Sequence, residues 1–322
     1  MSAVLAHSYR PVGKYILNHD IMSATAEEVV GNHLYSGRAL GISGPQDIIQ
    51  LHPDLHPLWT DILDHYRRIG LSHAEDVLWD LDLRELGAHI NHQPSVFYFG
   101  PRESVYWGDH EWREAVEYIN SKNNFMALAE QLGVDVPGTL CFDSVTAIDS
   151  DAVGKMTFPC YLKAAVSVSG VGIYRCEDAS ALKKAMACFT DDVPVQLQEE
   201  VVTGTFLNLQ YLVTDNTAIR LAASKQLLDG PAHQGNRVPV SVEPWVAVDV
   251  MADWLVERGM KGVFAFDVAV VESETGIRYP VIECNPRFNG ASYPTLVAQK
   301  LGIPGWTALN MQTRHRSLAD ID

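Results

Sequence analysis

The stretch from Gly262 to Gly290, GVFAFDVAVVESETGIRYPVIECNPRFNG, constrains the fold more than any other part of the chain. Two runs rich in β-branched and aromatic residues flank Glu274-Thr275-Gly276, the pattern of paired strands around a tight turn. A three-residue loop with Gly276 in the left-handed position sets Ser273 opposite Ile277. Asp267 then lies opposite Glu283, and Asn285 falls two residues further on the same face. The other face, with Phe264, Phe266, Val268, Val270 and Ile282, is expected to be core. Like charges directly opposite across strands are destabilising, so this hairpin calls for a compensating cation. Magnesium suits carboxylate and amide oxygens, whereas solvated acids on an open sheet face are the plain alternative. A different turn register would place the two acids on opposite faces.

Charge narrows the partners. With 24 Lys+Arg against 40 Asp+Glu the formal charge is −16, which argues against nucleic acid or an anionic membrane surface. The longest nearly uninterrupted apolar stretch, Val263–Val271, contains Asp267 and is far shorter than the roughly 20 residues of a membrane-spanning helix. The first fifteen residues carry His7, Arg10 and Lys14 without an apolar core, so no secretory signal is read there and a cytoplasmic protein is expected. The five cysteines are widely spaced and form no Cys-x-x-Cys pair, which suggests neither a disulfide framework nor a zinc site. The His52/His56 spacing brackets Pro53, which makes a helical two-histidine metal face unfavourable.

Residues 1–110 read as mixed α/β, with a helix near Leu58–Ile69 and a strand at Ser95–Phe99. A helix follows Asp109 and stops near Asn120. Ser121 caps a second one whose apolar face is Phe125, Leu128, Ala129 and Leu132, and Gly133 ends it. Lys122 stands in that helix's first turn, where the helix dipole disfavours a cation, so it needs solvent or an anionic or polar partner. From Phe158 the pattern turns to strands: Phe158–Ala164, Gly172–Arg175, a short helix after Asp178, then Val193–Val202. Phe206–Val213 and Ala218–Ala223 follow, joined by a turn at Thr214-Asp215-Asn216, and a helix over Pro244–Gly259 leads into the acid hairpin.

These residues, in this order, resemble the ATP-grasp superfamily, which includes D-alanine–D-alanine ligase and biotin carboxylase. Glu283-Cys284-Asn285-Pro286-Arg287, after an acid sixteen residues earlier, is similar to its metal-binding end. The resemblance runs from Lys122 to the C-terminus. It implies an α/β (α+β) chain with an N-terminal α/β domain over residues 1–118 and an ATP-grasp domain over 119–322. The latter comprises a small β-rich lid at about 155–202 and a large antiparallel sheet. It further implies that Asp267, Glu283 and Asn285 bind Mg2+, or Mn2+ in its place, and that Arg287 faces the transferring phosphoryl group or the acyl-phosphate. Lys122 and Lys163 resemble the nucleotide-binding lysines, with Lys163 a second catalytic candidate, and Lys225 a further phosphate contact. Ser167, Ser169 and Gly170 resemble the mobile glycine loop, whose small residues let backbone N–H groups approach phosphate. Glu199, Glu200, Val201 and Val202 resemble the hinge that holds adenine. Phe206 stands where the peptide-ligase branch often carries a ribose-binding acid, leaving Glu200 or Asn208 as substitutes.

The implied chemistry is attack of a carboxylate on the γ-phosphate of ATP, followed by displacement of phosphate from the acyl-phosphate by an amine. Small-molecule acid and amine substrates are therefore the expected partners, amino acids foremost, with a homodimer as the assembly considered. Lactam closure, carboxylation and a non-catalytic ATP-binding module are the alternatives. Substrate residues are expected in the N-terminal domain, a His233–Val238 loop and Asn289–Thr295.

Overall fold

The computed structural model describes residues 13–22, 31–167, 172–229, 232–309, 314 and 320. It divides into two compact units, one of Met1–Arg113, Gln234–Pro239 and Arg287–Asp322, the other of Glu114–His233 and Val240–Pro286. These units are discontinuous in sequence, whereas the resemblance implied a single cut between residues 118 and 119.

The first unit is built on a four-stranded parallel sheet in the order Asp76–Leu78, Ile48–Gln50, Tyr15–Asn18, Gln93–Val96. Parallel sheets are covered on both faces, and Ile16, Leu17 and Ile49 accordingly have no exposure. The last strand is an edge, which is why it tolerates Pro94. It lies slightly earlier than the expected Ser95–Phe99. The helix Trp59–Ile69 ends as expected, with Gly70 in the left-handed conformation at φ 69°. His233–Val238, expected as a loop, falls within the strand Ala232–Val238, which pairs antiparallel with Trp306–Leu309 through Gly235 to Val238.

Among the described residues the second unit carries, besides the two-stranded hairpin tip Val271–Ser273 and Gly276–Arg278, two antiparallel sheets. The smaller has the order Thr139–Phe142, Val195–Glu199, Cys160–Ala164, Ile173–Cys176. Period-two alternation gives it two unlike faces. Cys160, Leu162, Val195 and Leu197 point into a core shared with Leu182 and Ala185 of the helix Ala179–Met186. Tyr161, Lys163, Gln196 and Gln198 line the opposite face by the same alternation. The sheet begins at Thr139, earlier than the residue 155 at which the lid was expected to start.

The larger sheet of this unit runs Val281–Asn285, Val263–Ala269, Phe206–Thr214, Thr217–Asp229. Asp215 and Asn216, at φ 48° and 57°, make the two-residue left-handed turn that matches strand twist between the last two strands. The expected helix over Pro244–Gly259 is interrupted, with a 3-10 turn at Trp245–Ala247 before the α-helix Asp249–Glu257.

The acid hairpin reaches its expected juxtaposition by a different route. Its tip is a two-residue turn, Glu274-Thr275, with Ser273 opposite Gly276 and not Ile277. A register shift then falls between Asp267 and Val268, because Val268 pairs with Val281 while Asp267 pairs with Glu283. Ile282 is the extra residue of this bulge. It is only half-buried, so its expected core place goes to Val281 and Cys284. Gly276 has φ 132°, a positive value that favours glycine, although the loop is one residue shorter than expected.

Candidate functional site

The acids sit in a row of polar side chains across the larger sheet. Asp267 is paired with Glu283 on one side and with Asn208 on the other, and Asn208 with Ser224 beyond it. Residues paired in this way project from the same face. The neighbours of Asp267 in its own strand, Phe266 and Val268, are fully buried on the opposite face. Three neutral amides hold the Asp267 carboxylate: Asn208 Nδ2 and Gln226 Nε2 donate to Oδ1 at 2.7 Å each, and Asn285 Nδ2 to Oδ2 at 3.1 Å. Asn208 is therefore occupied with the Asp267 carboxylate rather than free to read a ribose through its nitrogen. Gln226 is absent from the sequence reading. It could have been found by the period-two rule, since it stands on the same face of its strand as Ser224, whereas Lys225 alternates away.

The cations converge from the lid and from the helix Lys122–Leu132. Lys122 is 7% exposed despite its place in the first turn of a helix capped by Ser121. Its Nζ lies 3.4 Å from Glu283 Oε2 and donates to Ser167 Oγ at 3.1 Å, so of the open choices it has an anionic and a polar partner. Its backbone N–H donates to the Ala165 carbonyl at 2.7 Å, anchoring the start of the helix to the end of the lid strand.

Lys163 is 8% exposed and donates to Gln198 Oε1 at 2.6 Å, with its Nζ 5.6 Å from the Tyr161 ring centre. Burial pushes its pKa down to about 8, against the attraction of Glu283 and with the repulsion of Lys122. Gln196, opposite Lys163 in the ladder, has no exposure, and neither of its amide atoms has a hydrogen-bond partner among the described residues. A buried unpaired amide costs free energy, so a polar partner here would be stabilising.

The remaining sequence-derived residues divide. Asp267, Glu283, Asn285, Lys122, Lys163 and Ser167 are brought together. Lys225 is not: it pairs with Leu207 in the row of Val268, on the other face from Asp267, and its Nζ reaches Thr205 Oγ1 at 3.4 Å. Ser169 and Gly170 lie outside the described residues. Glu200 is engaged by Arg175, whose Nη2 donates to Oε2 at 2.9 Å, and by the Tyr161 hydroxyl at 3.2 Å. Arg175 holds the Glu200 carboxyl below its ordinary range, and this leaves the side chain poorly placed to take a ribose. Glu199 is half-buried and its backbone N–H donates to the Gly138 carbonyl at 2.9 Å. Val201 is half-buried and Val202 is 83% exposed, an apolar side chain left open at the end of the lid strand. Arg287 belongs to the first unit, where its Nη1 donates to the Phe288 carbonyl at 3.2 Å.

No family model and no curated protein sequence matches the chain. Its structure, however, superposes on an N5-carboxyaminoimidazole synthetase from Staphylococcus aureus complexed with ADP, at TM-score 0.60 and 11% identity, covering 92% of this chain and 79% of that one. The chain has the ATP-grasp fold. An L-amino acid ligase from Bacillus licheniformis shares this ATP-grasp arrangement at TM-score 0.53 and 11% identity, over 87% of this chain and 68% of the ligase. The chain spans 59% of the length of an Aspergillus clavatus N5-carboxyaminoimidazole synthase in complex with ADP and 5-aminoimidazole ribonucleotide, 72% of its own length being covered, at TM-score 0.45 and 14% identity. Among the described residues of this ATP-grasp chain, no helix is long and apolar enough to cross a membrane.

Proposed function

We propose that the chain is an ATP-dependent carboxylate–amine ligase that joins two small molecules, amino acids foremost, through an acyl-phosphate with release of ADP and phosphate. The observation that carries this reading is the convergence of two buried lysines with two acids, with Gln196 without a hydrogen-bond partner among the described residues beside Lys163. A buried cation without a full anionic partner is costly, and a triphosphate is the anion that the fold supplies.

The donor set also fits magnesium. The buried Asn208 Oδ1 has no hydrogen-bond partner among the described residues, beside two carboxylates that supply only oxygen ligands. Asp267, Glu283 and Asn285 would hold the ion, Asn285 by turning its amide over so that oxygen replaces the nitrogen now facing Asp267. Magnesium, when bound, supplies positive charge at phosphate oxygens.

The chain's own work is positioning and neutralisation. Lys163 and Lys122 lower the repulsion between the triphosphate and an approaching carboxylate. The carboxylate oxygen bonds to the γ-phosphorus while ADP leaves with the electrons of the broken P–O bond. The amine nitrogen then bonds to the acyl carbon, phosphate departs, and the nitrogen's surplus proton passes to solvent.

A second reading, carboxylation of an amine with bicarbonate as the acid, is favoured by the likeness at TM-score 0.60 to the Staphylococcus aureus synthetase. Phosphate release from purified protein, screened against paired amino acids and against amines with bicarbonate, tests both. The ligase reading expects turnover that needs an acid and an amine together. Bicarbonate-dependent turnover favours the second reading, and tight ATP binding without turnover in any pair would contradict both.

A further inference from the structure

Both acids of the site are engaged without a metal. Asp267 accepts two amide N–H groups at Oδ1 and one at Oδ2. Glu283 stands beside it on the same sheet face, and its Oε2 has the Lys122 ammonium at 3.4 Å. The two engagements differ in kind: neutral groups hold Asp267, whereas a full positive charge stands against Glu283. All of these residues belong to the second unit.

Lys122 has little freedom to withdraw as a whole. Its backbone N–H donates to the Ala165 carbonyl at 2.7 Å, and the hydroxyl of Ser121 before it accepts from the Asn124 N–H at 3.4 Å, so the start of its helix is fixed. The four-carbon stem is the part that can swing. Among the described residues the buried ammonium has Ser167 Oγ at 3.1 Å and Glu283 as partners. Lys163 is near enough for the charges of both Lys122 and Glu283 to act on it. A helix dipole repels a cation in the first turn, and a buried ammonium without a counter-charge is strongly unfavourable. The place of Lys122 therefore depends on Glu283.

The ammonium thus stands on ground that a metal needs. A divalent ion taken up by Glu283 meets a like charge at close range while Lys122 stays where it is. If the lysine swings away instead, it is left buried without a counter-charge, and a phosphate group supplies one.

We propose that Lys122 is a built-in counter-cation of Glu283 that a divalent ion has to displace, and that a nucleotide phosphate receives the displaced ammonium. This rests on the reading above, in which magnesium and a triphosphate share the site. Each ligand then removes the obstacle to the other: the ion frees Lys122 from Glu283, and phosphate gives the freed ammonium an anion. By linkage the coupling runs equally in both directions. The free ion alone is a poor ligand, because it takes Glu283 and strands Lys122.

Mn2+ in magnesium's place, counted by electron paramagnetic resonance, tests this on the full-length protein at fixed ionic strength and without nucleotide. Lys122→Met should bind free Mn2+ about tenfold more tightly than wild type, and Lys122→Arg, which keeps the charge, as weakly as wild type. Lys225→Met controls for net charge, since Lys225 stands on the other face of the sheet, and its Mn2+ affinity should match wild type. On a Glu283→Gln background, Lys122→Met should bring no gain, because the two residues act as one pair. Without metal, Lys122→Met should bind a non-hydrolysable ATP analogue about tenfold more weakly. Lys122→Gln should repeat both results and carries the test where the methionine variant does not fold. Equal affinity of wild type and either neutral variant for free Mn2+, with circular dichroism unchanged, overturns the proposal. So does a gain of the same size on the Glu283→Gln background, or unchanged analogue binding. Wild type that releases phosphate with an acid and an amine, yet binds free Mn2+ no differently from Lys122→Met, would defeat this inference and spare the ligase reading. The Mn2+ gain in a protein that turns over no substrate pair would do the reverse.

Discussion

The two faces that meet in the second unit treat their charges in opposite ways. On the larger sheet, Asp267 receives three amide N–H groups at 2.7 to 3.1 Å, so its charge is satisfied by neutral donors before any ligand arrives. On the lid, Lys163 has one amide oxygen, a distant carboxylate and a repelling lysine, and pays for its burial with a pKa near 8. The acid half of the site is thus prepared and the cation half is in deficit. A polyanion corrects that imbalance directly, which is why Lys163 and Lys122 rather than the acids should dominate nucleotide affinity.

The largest effect expected from this contrast is in Lys163→Ala, which removes the deficit together with the charge. It should weaken a non-hydrolysable ATP analogue by about 100-fold, two charge-assisted hydrogen bonds being worth roughly 3 kcal/mol or more. Titration calorimetry reads it, and affinity within twofold of wild type would show that the lid face does not hold phosphate.

Protons give the next test. Because the folded Lys163 has a pKa of about 8, below the ordinary 10.5, a bound anion that restores its charge must draw a proton from solution. Calorimetry at pH 8.5 in buffers of differing ionisation enthalpy should show net proton uptake on analogue binding, falling away below about pH 7 where the lysine is already charged. The same depression acts on stability with a definite sign. Between the folded value near 8 and the unfolded value near 10.5 the unfolded chain binds more protons, so this group's contribution to stability rises with pH across that window. Absence of proton uptake would contradict the placement of phosphate against Lys163. In Glu283→Gln the carboxylate that supports the lysine charge is gone, so the onset of uptake should move to lower pH.

How the acids came to face each other shows what a sequence can and cannot convey. The juxtaposition of Asp267 and Glu283 was legible because it depends on strand alternation, a strong and local signal. The loop length and the bulge at Ile282 were not, since a tip one residue shorter and a bulge one residue long cancel in the register of everything beyond. Lys122, with its need for solvent or an anionic or polar partner, and Lys163 were legible from helix polarity and from resemblance respectively. The parallel strands Asp76–Leu78 and Ile48–Gln50 were not, because three residues are too few to show a period. Gln226 shares the alternation of Ser224, but its partner Asp267 is 41 residues away, so the period alone did not single it out.

Smaller effects sharpen the contrast from the acid side. Asn208→Leu removes one of the amides on Asp267 and should lower the free energy of unfolding by about 1–3 kcal/mol, read from urea midpoints. An unchanged midpoint would mean that the carboxylate does not depend on its neutral donors. Arg175→Gln, which frees the Glu200 carboxylate at a largely solvent-screened pair, should leave the melting temperature nearly unchanged. A large drop would show that the lid depends on this pair for its shape.

The central claim is that a metal-bearing triphosphate binds between the acids of the larger sheet and two lysines, Lys163 of the smaller sheet and Lys122 of the adjoining helix. It is tested most directly by titrating a non-hydrolysable ATP analogue with and without magnesium into wild type and Glu283→Gln. The account predicts that magnesium tightens binding to wild type by about tenfold or more, and that this gain disappears in Glu283→Gln while the fold, read by circular dichroism, is retained. The same magnesium gain in both proteins would contradict it.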